Sequence, residues 1–399
     1  MAVATGLTVG GNYVNQPLLD TLAAELGVSQ GAAAVCVTVA QVSYGIGLLL
    51  VVPLGDLLER RRLLTTLTLL AAAGHVLCAV APGFGWFLAG TAVAGVFSVA
   101  AQVLVPFVAE LAEPGQAGRA VGTVMSGLLI GALLARSVSG ALADLGGWHL
   151  PYAVVAAGLV LLAVALRARL PVSVPERVGG YAATLRSTAR IVREEPRLRS
   201  RALLGSVGFA AVSVLFATMT FLLAGPAFGL SDAQIGLVGL AGVLGALAAT
   251  VAGRMADAGR GQLATALGAA LLVLTWLLLS AAGGAWELLG TSLALFVVGF
   301  ALSDLALQTV HISNQNIVFA LRPQARARVN SAYMTAYFAG GALGSVAGSL
   351  AWAAGGWAAV SATGAALGVL ALALWLLDVR LERRARAGGA GVSAARAGS

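Results

Sequence analysis

GALLARSVSGALADLGGW, Gly131 to Trp148, and GGALGSVAGSLAWAAGGW, Gly340 to Trp357, are two versions of one apolar, glycine-rich segment. Their first glycines and their last tryptophans both stand 209 positions apart. The loops in front keep that offset, Pro114 with Pro323 and Arg119 with Arg328. Nearer the N-terminus, PLGDLLERRR around Asp56 is echoed by GRMADAGRG around Asp257 at an offset of 201, so 8 residues are inserted between the eighth and tenth apolar stretches. A chain that repeats itself at half its length is built from two copies of one unit.

Each copy is a set of membrane helices. Hydrophobic residues make up 59% of the chain and charged ones 10%, with a mean hydropathy of +0.93. A soluble domain carries about 25% charged residues, so the composition is that of an integral membrane protein. At about 20 residues per span, the length accommodates about twelve helices. Apolar spans are predicted at 2–22, 32–54, 63–81, 86–111, 120–142, a sixth ending near 166, then 202–224, 233–255, 263–282, 286–320, 329–351 and 357–378. The expected fold class is an all-α membrane protein with twelve transmembrane helices in two six-helix pseudo-symmetric halves. The halves are read as 1–170 and 201–379, joined by a linker at 171–200 and followed by a basic tail at 380–399. That tail is rich in Gly and Ala and is expected to lack fixed structure.

A pI near 10.4 invites a nucleic-acid partner, but the placement of charge excludes it. All 24 basic residues are Arg, at 60–62, 119, 167–201, 254–260, 322–328 and 380–396, with Arg136 as the exception. The loops near 27–31, 82–85, 145–149, 226–232, 283–287 and 354–357 contain none. This is the positive-inside rule repeated along the chain, and it puts both termini in the cytoplasm of a multi-pass protein whose basic partner is the lipid bilayer. In the linker, Tyr181, Leu185, Ala189 and Val192 oppose Arg186, Arg190, Arg193 and Arg197, a pattern suited to a helix on the inner membrane surface or to a charged tether. Cys36 and Cys78 fall inside spans and read as small core residues. The first span has no charged region before it and is expected to be retained, not cleaved.

Polar residues inside the spans mark the candidate site. In WELLGTSLALFVVGFALSDLALQTVHISNQ, Trp286 to Gln315, the residues Asp304, Gln308, His311 and Gln315 recur at helical spacing on one face. A carboxylate at the middle of a membrane helix costs about 2.5–3.5 kcal/mol, so it faces a bundle interior or a wet cavity. Such a stripe serves either as a path for a solute or proton, or as polar glue between helices. Asn12, Tyr13, Asn15 and Gln16 crowd the first span. Asn12, Gln16 and Asp20 share a face there, and Pro17 breaks the helix. The fourth span places Gln102, Pro106 and Glu110 on one face, and the eleventh does so with Asn330, Tyr333 and Tyr337, as cavity lining or as packing. Gly340, Gly341, Gly344 and Gly348 offer a surface for close helix contact. Arg136, alone in the fifth span, needs a carboxylate, an anionic solute or water, and Asp304 and Asp20 are the buried acids available. His75 in the third span reads as an interhelical hydrogen-bond donor or a proton carrier.

With these residues in view, the chain resembles transporters of the major facilitator superfamily over its whole length. The loop motif of that family, G-x-L-A-D-R-x-G-R-R, is matched by Leu54, Asp56, Arg60 and Arg61, while Val52, Leu57 and Glu59 depart from it. The second copy keeps Gly253, Ala256 and Asp257, with Arg260 one position early. By this resemblance Asp56, Arg60 and Arg61 in one half, and Arg254, Asp257 and Arg260 in the other, form a cytoplasmic gate that pairs across helix ends. NYVNQPLLDTLAAELGVS, LLARSVSG and HISNQNIVFALRPQARARVNSAYMTAYFAGGALGS resemble bacterial permeases of the arabinose-efflux-like and drug-exporter type. The antiporter motif G-x-x-x-G-P-x-x-G-G keeps Gly131 and Gly140 but has Ala135, Arg136 and Ser139 where Gly, Pro and Gly are usual. The span-four Arg of many such antiporters is replaced near Thr91.

The function implied is export of a small organic solute (a drug-like compound, sugar or metabolite) by alternating access from the bacterial inner membrane. It is expected to work as a proton antiporter acting as a monomer, with Asp304 carrying the proton. An importer or facilitator for a sugar or metabolite, and a non-transporting receptor or assembly partner, are the other readings. No phosphate-binding loop, metal-ligand cluster or nucleophile stands out, and His75, His149 and His311 are all the histidines there are. Neither enzymatic activity nor a cofactor is expected.

Overall fold

A computed structural model of the chain describes residues 1–113, 116–174, 180–242, 251–252, 254–255, 258–283, 292–322 and 325–397. Its elements are helices and short 3-10 turns. Among the described residues, nine helices are long and apolar enough to cross a membrane. The last of them, Arg328–Glu382, is two spans joined where Gly355 and Gly356 leave the helical conformation. Two further spans are broken. The first consists of α1 (Ala2–Gly10), 3-10 turns at Gly11–Tyr13 and Gln16–Leu18, and α2 (Leu19–Glu25). Pro17 sits at the start of the second turn, where it offers no N–H to continue an α-helix. The remaining helices are α3 (Gln30–Leu50), α4 (Arg60–Ala79), α5 (Phe84–Phe97), α6 (Ala100–Leu111), α7 (Ala117–Gly146), α8 (His149–Arg169), α9 (Tyr181–Glu194), α10 (Pro196–Ala224), α11 (Asp232–Val238), α12 (Gly261–Ala282), α13 (Leu293–Leu321) and α14 (Arg326–Ala397). The eighth span begins with α11 and turns 3-10 at Gly239–Gly242, so the total agrees with twelve.

The sequence repeat is a repeat of backbone. Gly147 (φ 74°) turns the chain from α7 into α8, and Gly356 (φ 57°), 209 positions later, makes the corresponding turn inside α14. Only glycine enters that region of φ without a steric cost. Buried Trp148 and Trp357 follow these turns. Ser29 and Ser231 are also equivalent, each two residues after a glycine of positive φ. Ser29 Oγ caps α3 by accepting from the Ala32 N–H at 3.2 Å, and Ser231 Oγ caps α11 by accepting from the Gln234 N–H at 3.4 Å. Helix contacts repeat as well. A Cβ on Gly131 would overlap the backbone of Gly6 in α1, and one on Gly340 would overlap the backbone of Ser206 in α10. The small-residue stripe of the eleventh span is thus a helix-packing surface.

Arg136 apart, the arginines gather at one end of the helix bundle, the arginine-rich end, and leave the other arginine-poor. At the rich end, Arg201 and Asp378 form an ion pair with both side chains fully buried. Thr265 and Asn314 each accept from Arg201 at 3.1 Å, and Gln262 donates to Asp378 at 2.9 Å, so the pair is hydrogen-bonded as well as paired. From sequence these residues look like simple end-of-helix charges. α13 runs unbroken for 29 residues to Leu321, so its arginine-rich end projects beyond the span, as its length predicts.

Two expectations need correction. The linker helix α9 does not present the predicted face. Thr188 and Ile191 are its buried residues, and it packs over the helix ends of both halves. Tyr181 donates to the Leu50 carbonyl at 2.8 Å, Arg328 donates to Ser187, and Arg322 pairs with Glu195 at 2.5 Å. Protein contacts from both halves thus hold it. The tail expected to lack structure continues α14 as helix to Ala397.

Candidate functional site

A cavity of about 180 Å³ lies between the two six-helix units. The broken first span gives it Asn12, Tyr13 and Gln16, because the 3-10 turns carry successive polar side chains to the same side. Gln41 and Tyr44 come from α3 and Gln102 from α6, where the Gln102 amide donates to the Tyr44 hydroxyl at 3.3 Å. Gln308, His311 and Gln315 come from α13, and Tyr337 comes from α14. Met125, Leu128 and Leu129 of α7 make an apolar wall. Gln315 donates to Asn330 at 3.3 Å, and His311 Nδ1 shares a 3.2 Å hydrogen bond with the Tyr333 hydroxyl.

The predicted residues therefore separate. Asn12, Tyr13, Gln16, Gln102, Gln308, His311, Gln315 and Tyr337 line the cavity. Tyr333 stands behind His311, and Asn330 faces an adjoining vestibule. Asp304 lies one turn beyond Gln308, buried against Gly242, and has no hydrogen-bond or ion-pair partner among the described residues. Arg136 is buried as well. Neither acid proposed for it is its ion-pair partner. Its Nε donates to the Gln16 amide oxygen at 2.7 Å, and the guanidinium lies over the rings of Tyr13 at 5.0 Å and Phe216 at 4.4 Å. Arg136 and Asp304 flank one turn of the eighth span, since Gly239 abuts the first and Gly242 the second. Asp20 stands apart from the cavity and accepts from Gln30 at 2.8 Å.

Sequence reasoning passed over Gln41 and Tyr44, three positions apart in the second span. A glutamine in lipid-length helix was the available signal. His75 is buried against Gly11 with neither ring nitrogen hydrogen-bonded among the described residues, so it is not the interhelical donor expected.

At the arginine-poor end the two units are sealed together. Thr21 donates to Asp232 at 2.6 Å, Ser231 to Asp144 at 2.8 Å, and Ser137 to the Gly236 carbonyl at 2.8 Å. Thr220 donates to the Gln16 carbonyl at 2.6 Å and Trp352 to Gln30 at 2.8 Å, while Thr38 and Ser345 share a 2.6 Å bond. Glycines let the backbones touch: a Cβ on Gly140 would overlap the Asp232 carbonyl, and one on Gly236 would stand 2.6 Å from the Arg136 carbonyl. The Asp232 carboxyl, at the first residue of α11 and ahead of the predicted span at 233–255, is pushed up from 3.8 to about 6, chiefly by burial and, against the Thr21 hydrogen bond that lowers it, by the neighbouring Asp144 and Asp20 carboxylates.

Toward the arginine-rich end lies a vestibule of about 530 Å³, which shares Gln102 with the cavity. Asp56, Arg60, Glu110, Arg326 and Arg328 line it. Arg60 pairs with Glu110 and also donates to the Gly55 carbonyl at 3.2 Å. Asp56 is exposed, and Arg61 pairs with Glu59 at 3.8 Å, so the pairing expected of Asp56 is absent here among the described ion pairs. Arg254 and Arg260 are exposed, and Asp257 lies outside the described residues.

Two like units around a cavity lined by polar side chains form the arrangement found in solute transporters. The chain belongs to the Major Facilitator Superfamily, whose model matches residues 1–314. It is similar to the uncharacterized transporter YgaY of Escherichia coli O157:H7, at 46% identity over 376 residues, 94% of this chain and 93% of that one. It is also similar to a probable transporter of Streptomyces coelicolor, at 33% identity over 375 residues, 93% and 84% of the two chains. Among solved structures, it superposes on a bacterial homologue of the human lysosomal transporter Spinster, inward-facing and occupied, with a TM-score of 0.75 at 14% identity, covering 95% of each chain. The peptide transporter POT in complex with sulfate gives 0.75 at 17% identity, covering 96% and 94%. At such identities these two speak for the fold alone.

Proposed function

We propose that the chain exports a small organic solute from the cytoplasm by alternating access, in exchange for protons. The arginine-rich ends are cytoplasmic under this reading, which places both termini there and makes the present conformation inward-facing. One observation carries it: a polar cavity between the repeats is sealed at one end and continues into a vestibule at the other. Rocking of the units about the cavity would exchange the sealed end for the open one. Asp304 is the proton site, because it is an acid buried at the sealed side of the cavity without a partner among the described residues. Arg136, across the same glycine turn, is the neighbouring cation that biases it. Import or facilitated passage of a sugar or metabolite is the second reading, favoured by the glutamine-rich walls.

Everted vesicles with an acid interior and a pH-sensitive dye test this. Drugs, sugars, amino acids and organic anions are added singly to vesicles bearing the native chain or its Asp304→Asn variant. Collapse of the gradient by one compound, with native protein only, is the expected result. Proton-driven transport that survives in Asp304→Asn removes Asp304 from its role. A compound that equilibrates across the vesicle membrane without moving protons establishes the facilitator.

A further inference from the structure

The cavity walls make a statement about charge. Among the described residues its lining holds no carboxylate and no guanidinium. Instead it presents the amides of Asn12, Gln16, Gln41, Gln102, Gln308 and Gln315. The two ionisable groups closest behind the wall are of opposite sign, Arg136 and Asp304. Charges reappear in quantity only in the vestibule.

We infer that the transported solute is uncharged, with several hydroxyl or amide groups on one side and an apolar surface on the other. A charged solute taken out of water needs a counter-charge or suffers a large desolvation cost, and the lining supplies no fixed one, its single imidazole, His311, being hydrogen-bonded to the Tyr333 hydroxyl. A side-chain amide both donates and accepts, which suits groups that themselves do both, such as hydroxyls and amides. An ionised carboxylate or ammonium can only accept or only donate, so half of each amide would be left unpaired against it. The apolar wall of Met125, Leu128 and Leu129, with the Tyr13, Tyr44, Tyr337 and Phe338 rings, requires an apolar face on the same molecule. Polyols, glycosides and amide-bearing neutral compounds meet both demands. This rests on the reading of the cavity as the transport site and adds a consequence to it. Exchange of a neutral solute for protons moves net charge, so the membrane potential drives it as well as the pH gradient.

Binding to the purified full chain separates this inference from proton coupling, because it needs no proton movement. Thermal unfolding would be followed with glucose, glucosamine and glucuronate, and with phenyl glucoside and its aminomethyl and carboxy derivatives. Stabilisation is expected from neutral members, with apparent affinity at least tenfold weaker for the charged partner on the same scaffold. Gln41→Glu and Gln308→Glu should each shift that preference toward the cationic member, a change that a merely destabilised fold would not produce. Equal or tighter binding of a charged member to the native chain overturns the inference and leaves proton-coupled transport standing. No stabilisation by any member also overturns it. In vesicles, a neutral compound that moves in exchange for protons should continue to move when nigericin removes the pH gradient and leaves the potential. Its arrest would show that compensating charge travels with it.

Discussion

The two ends of the inter-repeat seam are held by different chemistry. At the arginine-poor end, hydroxyls and an indole donate across the seam at 2.6–2.8 Å to backbone carbonyls, the Gln30 amide and the Asp232 and Asp144 carboxyl groups, with no ion pair between the units among the described residues, and glycines bring backbone onto backbone. At the arginine-rich end, the Arg60–Glu110 and Arg201–Asp378 pairs close within a single unit, and the linker helix spans the gap. A direct link between units there is weaker, Ser331 to the Leu48 carbonyl at 3.3 Å. Single hydrogen bonds across the seam each contribute little and break at little cost. Ion pairs confined to one unit do not change when the units move. The contrast describes a molecule that can open at its sealed end while each half stays rigid.

Glycine substitutions break that contrast most sharply. Gly140 and Gly131 lie on the same helix, yet Gly140 faces the other unit and Gly131 faces α1 of its own. Gly140→Val should leave a folded protein unable to seal, with transport reduced at least tenfold. A membrane-impermeant thiol reagent should then label Thr38→Cys rapidly from the arginine-poor side, since Cys36 and Cys78 are both buried. Gly131→Val should act through the fold, by overpacking that costs about 1–3 kcal/mol, and lower the thermal midpoint whichever end is open. Equal labelling in both variants would mean that the glycines do not divide as described.

Arg136 tests the boundary between seam and cavity. Its carbonyl meets α11 and its guanidinium holds Gln16 in the cavity wall. Arg136→Leu frees Gln16 and removes the cation beside Asp304, so both binding and proton coupling should fall, by about ten- to a hundredfold if one buried charge-assisted bond of about 1.5–3 kcal/mol is lost. Arg136→Lys keeps the charge but not the planar stacking on Tyr13 and Phe216, and should recover only part of the activity. Full activity in Arg136→Leu would reduce this residue to a packing role.

Individual seam bonds are smaller again. Thr21→Val and Trp352→Phe each remove one, about 0.5–1.5 kcal/mol. Each should raise the labelling rate of Thr38→Cys by about two- to tenfold through a shift in population. The same kind of change within one unit, Thr265→Val beside Arg201, should lower stability with no change in that rate.

How much of this was legible beforehand divides along the same line. The repeat, the span pattern and the glycine contacts follow from local sequence, because helix period and small-residue spacing are written in consecutive positions. Gln308, His311 and Gln315 were readable for that reason. Arg136 was visible as an anomaly, but its partner was not, because Gln16 is brought to it by tertiary packing across 120 positions. Asp20 was drawn toward the cavity by helical spacing from Gln16. The 3-10 turn at Gln16–Leu18 changes that phase and leaves Asp20 at the seam. Asp232 carried no sequence signal at all, since nothing local distinguishes it from any loop carboxylate beside a serine cap.

Asp232 supplies the smallest effect and the one with a defined sign. In the sealed state it accepts from Thr21, is preceded by Ser231, and faces the carboxylates of Asp144 and Asp20 with no arginine at that end of the molecule. Burial raises its pKa from 3.8 to about 6. An opened seam would hydrate it and return it toward the ordinary value. Between those two values the sealed state therefore holds a proton that the open state has released. Acidification on that side favours sealing, and the cost of burying the ionised group falls fully on the sealed state once the pH is above about 6. The labelling rate of Thr38→Cys should rise with external pH through that region. Asp232→Asn, neutral at every pH, should hold the rate at its acid-side level. A pH profile that is unchanged in Asp232→Asn would remove Asp232 from this role.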